Sequence, residues 1–100
     1  MVAQLLCLDR LTRLLFVQVD GEPYAVEYDG RGVGYEEVRV NGVVAAHQRS
    51  WLWFVPRFEF SLGTTWAEIE VRVGLALSIR GFRLTVGGDV IYSEGTLADA

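Results

Sequence analysis

Val17-Gln18-Val19-Asp20-Gly21, Val38-Arg39-Val40-Asn41-Gly42 and Leu84-Thr85-Val86-Gly87-Gly88 share one grammar, an apolar–x–Val step that runs into Asp-Gly, Asn-Gly or Gly-Gly. These dipeptides suit the two central positions of a tight hairpin turn, where φ is positive and only Gly, Asn or Asp is accommodated cheaply. The flanking residues have the matching period of two. Leu15, Val17 and Val19 alternate with Phe16, Gln18 and Asp20, and Tyr24, Val26 and Tyr28 share the next face. A further strand is expected from Tyr35 to Val40, and a long one from Trp51 to Leu62, with Phe54, Phe58, Phe60 and Leu62 on its core side. Nothing has the length and period of a helix from Leu14 onward. The chain therefore reads as all-β, an antiparallel β-sandwich of about eight strands joined largely by tight hairpins.

The turns also assign registers. A two-residue turn at Asn41-Gly42 places Val40 opposite Val43, Val38 opposite Ala45 and Glu36 opposite His47. Gly63-Thr64 has the type II′ pattern. It pairs Phe60 with Ala67, Phe58 with Ile69 and Pro56 with Val71 inward, and Ser61 with Trp66, Glu59 with Glu68 and Arg57 with Glu70 outward. Pro56 cannot donate to a ladder, so an edge or a bulge is expected there. Leu77 and Ile79 are odd while Phe82, Leu84 and Val86 are even, and the change of phase predicts a bulge at Arg80-Gly81. Asp29-Gly30-Arg31-Gly32-Val33-Gly34 is rich enough in glycine to read as a loop. Residues 1–13 form a lead-in whose leucine spacing fits either a strand or a short amphipathic helix. Residues 14–93 form the sandwich domain, and 94–100 read as a frayed tail.

Composition narrows the function classes. The chain has 100 residues, 51% of them hydrophobic and 22% charged, which is enough for one packed core. Its net charge of −4 disfavours a nucleic-acid partner. All nine basic residues are Arg, so there is no Lys for Schiff-base chemistry or lysine-based phosphate binding. Cys7 is the one cysteine, so an intramolecular disulfide is impossible and the fold does not need an oxidising compartment. The N-terminal apolar run is short and meets Asp9-Arg10 without a basic segment before it, unlike a signal peptide or a membrane span. The expectation is a cytoplasmic protein with no membrane partner.

The order of these units resembles one repeat of the Fas apoptotic inhibitory molecule family. The resemblance runs over residues 14–92. It rests on Val19-Asp20-Gly21, Ala25-Val26-Glu27-Tyr28, Gly34, Val38-Arg39-Val40-Asn41-Gly42, Trp51, Phe58-Glu59-Phe60-Ser61-Leu62-Gly63, Ile69-Glu70-Val71, Gly81-Phe82 and Leu84-Thr85-Val86-Gly87-Gly88. It implies a compact antiparallel β-sandwich and a non-enzymatic interaction protein. The family is linked to control of cell death and to handling of aggregation-prone proteins. Two departures limit the transfer: the family usually carries two repeats, and the turn at Gly63-Thr64 is shorter than its usual one. The fold is carried over and the cell-death role is not.

Candidate chemistry is sparse. His47 is the one histidine, and any Ser-His-Asp or Cys-His constellation would have to use it. Against that stands a solvated His opposite Glu36. Cys7, in an apolar run, reads as a small core filler rather than a reactive thiol. One His, one Cys and scattered carboxylates do not make a metal site, and no cofactor is implied. Glu59, Glu68 and Glu70 read as a wet sheet face, and Glu59 directly across from Glu68 should repel it slightly. Gly30, Gly32 and Gly34 lack the following helix of a phosphate cradle. The tryptophans Trp51, Trp53 and Trp66 fall on the phase opposite the core of their strands. They are the candidate interaction surface. The expected function is a non-enzymatic protein-interaction domain that self-associates, as a homodimer or by a domain swap, through the Trp51–Leu62 strand or the Trp51/Trp53 surface. The alternative is a carbohydrate or small-molecule binding module that uses the tryptophans as stacking platforms.

Overall fold

The computed structural model describes residues 1–32, 35–49, 57–74 and 78–97. They form nine strands: β1 (Val2–Leu8), β2 (Thr12–Val19), β3 (Glu22–Gly32), β4 (Tyr35–Val40), β5 (Val43–Arg49), β6 (Arg57–Leu62), β7 (Thr65–Val73), β8 (Ile79–Val86) and β9 (Asp89–Gly95). Every pairing is antiparallel, in one sheet of order β1-β2-β3-β4-β5 and another of order β6-β7-β8-β9. The all-β sandwich expected from the period-two pattern is therefore present. Trp51, Trp53, Pro56 and Leu77 lie outside the described residues, as does the first half of the strand expected from Trp51.

The turns are as their residues demand. Asp20 and Gly21 have φ of 52° and 81°, Asn41 and Gly42 have 51° and 81°, and Gly87 and Gly88 have 60° and 89°. Gly63 has φ of 65° and Thr64 is not left-handed, which is the type II′ arrangement. The Asn41 turn is further tied down, because its side-chain Oδ1 accepts from the Ala25 amide at 2.8 Å and its own amide donates to the Ala25 carbonyl at 2.8 Å.

The core is made by the two inner faces. Leu15, Val17, Val26, Tyr28 and Val38 from one sheet meet Phe58, Phe60, Leu62, Ile69, Phe82, Leu84 and Val86 from the other. Tyr28 is the hinge of this packing. It is fully buried, and its ring centroid lies 5.8 Å from Phe58 and 6.0 Å from Phe82 across the interface. Aromatic pairs at these distances prefer tilted geometry, as both do here.

Registers hold in one hairpin and shift in another. β6 pairs with β7 as the turn dictates, from Arg57 opposite Glu70 to Leu62 opposite Thr65. In β4–β5 the pairing slips after Arg39 opposite Val44: Val38 faces Ala46, Glu37 faces His47 and Glu36 faces Gln48. Ala45 is a bulge residue, so the expected pairs Val38–Ala45 and Glu36–His47 are corrected. The shift keeps Val38 on the core face opposite a small, half-buried Ala46 while the rest of β5 is exposed. The expected bulge in β8 is found at Arg80, since Arg72 faces Gly81 and Val73 faces Ile79.

Three more expectations change. The Asp29–Gly34 segment is not a free loop as far as Gly32. β3 continues through it, Asp29 faces both Thr12 and Glu37, and the Gly30 amide donates to the Leu11 carbonyl at 2.9 Å. Glycine is needed there for contact, because a Cβ at Gly30 would lie 2.7 Å from the Tyr28 hydroxyl oxygen. The lead-in, left open between helix and strand, contains a strand, β1, paired along β2. At the other end β9 runs to Gly95, and Glu94 and Gly95 pair with Phe82 and Gly81.

Candidate interaction surface

Sandwich sheets leave edges, and edges carry backbone N–H and C=O groups ready to pair with another chain. The four edge strands here are β1, β5, β6 and β9. They differ in chemistry. β6 alternates buried Phe58, Phe60 and Leu62 with exposed Arg57, Glu59 and Ser61. β9 carries Asp89 and Glu94, and β5 carries His47 and Arg49 after an apolar start in which Val43 is 70% exposed. β1, Val2-Ala3-Gln4-Leu5-Leu6-Cys7-Leu8, has no charged residue. Ala3 and Leu5 pack against the core, while Val2, Leu6 and Leu8 are 53–62% exposed. Leu6 is the extra residue of a bulge between Leu5 and Cys7 and stands clear of the pairing with β2. Phe16, opposite Gln4 on β2, extends the apolar surface. Among the described residues no strand lies beyond β1.

Of the tryptophans singled out in the sequence, Trp66 is described. It stands on the outer face of β7, 44% exposed, beside Ser61. Trp51 and Trp53 lie outside the described residues. Cys7, expected as a core filler, is exposed on β1. The reason is the bulge at Leu6, which changes the phase of the strand, so that Cys7 pairs with Leu14 on the outer face instead of following Ala3 and Leu5 inward.

The outer faces elsewhere are occupied by ion pairs. On the first sheet, Arg39 donates to Glu27 at 2.8 Å and to Asp29 at 2.9 Å and also pairs with Glu37. Asp29 additionally accepts two side-chain hydrogen bonds from Arg31. These bonds, Arg31's first, hold the Asp29 carboxyl well below the usual carboxylate range. On the second sheet, Arg83 donates to Glu70 at 2.6 Å, and Arg57 lies 3.4 Å from Glu68. The wet face expected around Glu68 is corrected in part. Glu68 is 8% exposed, and its loss of solvent pushes its carboxyl up. Glu59 does face Glu68 as expected. The nearby Arg57 offsets their repulsion.

His47 is exposed, with its ring stacked on Tyr35 at 6.2 Å and Glu37 opposite it. The Arg49 guanidinium lies over the Tyr35 ring, 5.3 Å from its centroid. No group of three metal-ligating side chains converges among the described residues. No helix in the described residues is long and apolar enough to cross a membrane.

Two clusters of polar side chains, around the buried Glu36 and Arg13, serve the fold. The Tyr28 hydroxyl donates to Glu36 at 2.6 Å. Burial and this partner raise the Tyr28 hydroxyl far above the ordinary tyrosine value. Arg13 spans the sheets to Glu94, and Glu94 also accepts from the Tyr92 hydroxyl at 2.7 Å. Burial, with Glu94 beside it, pushes Tyr92 up to about 12. Both clusters lock strands together, and among the described residues no fully buried side-chain nitrogen or oxygen lacks a hydrogen-bond partner.

Set against protein-family models, curated proteins and solved structures, the chain matches none.

Proposed function

We propose that this protein is a non-enzymatic binding module that associates with a second copy of itself through β1. The observation that carries this reading is an uncharged edge strand with Val2, Leu6 and Leu8 exposed. In a molecule of net charge −4, like-charge repulsion opposes most self-contacts. A twofold, antiparallel β1–β1 contact brings together two segments without charge and buries leucines that otherwise face water. The resemblance to Fas apoptotic inhibitory molecule repeats supports a role in binding rather than catalysis. So does the exposed, solvent-facing position of His47. A single free thiol at Cys7 suits the reducing cytoplasm, where we place the protein. Light scattering over a concentration series should show a dimer that dissociates on dilution. A monomer at the highest soluble concentration would exclude the reading.

A further inference from the structure

The arginines are the clue to a second site. The chain is acidic, and most of its guanidinium groups are matched. Arg13 reaches Glu94, Arg31 reaches Asp29, Arg39 reaches three carboxylates, Arg57 reaches Glu68 and Glu70, and Arg83 reaches Glu70. Arg49 lies over an aromatic ring. Arg72 and Arg80 have no carboxylate partner among the described residues, and both line the same open cleft. Its walls are completed by Val73, Gly74, Gly95 and Thr96, and it has a volume of about 590 Å³.

The cleft follows from the β8 bulge. Arg80 is the extra residue, so its side chain leaves the ladder and lies along Gly74, where a Cβ would come within 2.8 Å of its Cγ and 2.7 Å of its Nε. Arg72 faces Gly81, which has no side chain to cover it. Glycine is required at 81 because the chain returning from β9 passes directly over it, with the Thr96 carbonyl oxygen 2.1 Å from any Cβ there. The returning chain is fixed by the Thr96 amide, which donates to the Arg80 carbonyl at 3.2 Å. Two strand ends, joined where the Gly74 amide donates to the Ser78 carbonyl at 3.0 Å, thus hold around one concavity two arginines that have no carboxylate partner among the described residues.

We propose that this cleft binds a phosphate monoester. Guanidinium groups offer planar pairs of N–H donors that match phosphate oxygens. A phosphomonoester carries nearly two negative charges at neutral pH and so balances both arginines, where a carboxylate balances one. The cleft exceeds the phosphate group itself and leaves room along Val73 for the carbon skeleton that bears it. The cleft uses no residue of β1.

The test is amide chemical-shift mapping of the full chain titrated with inorganic phosphate at constant ionic strength. Saturable shifts are expected at Gly74, Gly81, Gly95 and Thr96. Arg72→Gln with Arg80→Gln should weaken binding about tenfold or more, the loss of two charge-assisted contacts. Gly74→Ala displaces Arg80 without changing the charge and should also weaken it. Phosphoserine and a short phosphoserine peptide then separate a free metabolite from a modified chain by which of them binds more tightly than phosphate. Absence of saturable shifts in the cleft, or shifts that survive the double substitution, would overturn the proposal.

Discussion

β1 and β6 are both edge strands of the same sandwich, and they meet the problem of an edge in opposite ways. β6 places Phe58, Phe60 and Leu62 fully into the core and turns Arg57, Glu59 and Ser61 to water. Charge of both signs along its free side disfavours pairing with another chain. β1 commits only Ala3 and Leu5 to the core and carries leucines outward with no charge. Its one blunting device is the bulge at Leu6. One edge therefore contributes mainly to stability, and the other is available for association.

Substitutions can break this contrast. The largest effect is expected at Phe60→Ala, which removes a buried aromatic ring and should cost about 3–5 kcal/mol of stability, read by denaturant unfolding. Tyr28→Phe should cost about 1–3 kcal/mol by the same measurement, because Glu36 keeps its burial and loses a hydrogen-bond donor. Neither change touches β1. At the other edge, Leu6→Lys should change stability by less than about 0.5 kcal/mol, since Leu6 is already exposed. Its effect belongs to the dimer.

Solution conditions sharpen the same contrast. The folded-state pKa of Asp29 is depressed, so its contribution to stability is fully present above the carboxylate value of the unfolded chain, about 4. It is lost as pH falls below that value toward the folded-state one. Unfolding midpoints measured at descending pH should fall accordingly, and Asp29→Asn should flatten the dependence. Association through an uncharged strand should instead persist from roughly 0.05 to 1 M sodium chloride, where ionic contacts are screened.

Much of the fold was legible because turn chemistry and period-two burial act locally. The β6–β7 register follows from Gly63-Thr64 and four aligned apolar residues, and the Arg80 bulge follows from a change of phase. The Ala45 bulge left no such mark, because Val43, Val44, Ala45 and Ala46 are all apolar and a slip among them does not alter the pattern. The Glu94 partner of Arg13 is 81 residues away, so no local rule could pair them. The candidate surface was harder still. Val2–Leu8 looked like a lead-in because exposure at a sheet edge depends on strand order, which residue periodicity does not encode. The absence of charge was the one signal in the sequence that could have marked it.

Sedimentation of the wild-type chain beside Leu6→Lys and Ser61→Lys tests the central claim most directly. Both variants add one positive charge at an exposed position, one on β1 and one on β6. The account predicts that the wild type and Ser61→Lys are dimers and that Leu6→Lys is a folded monomer. A Leu6→Lys protein that still dimerises, or a wild type that never does, would contradict it.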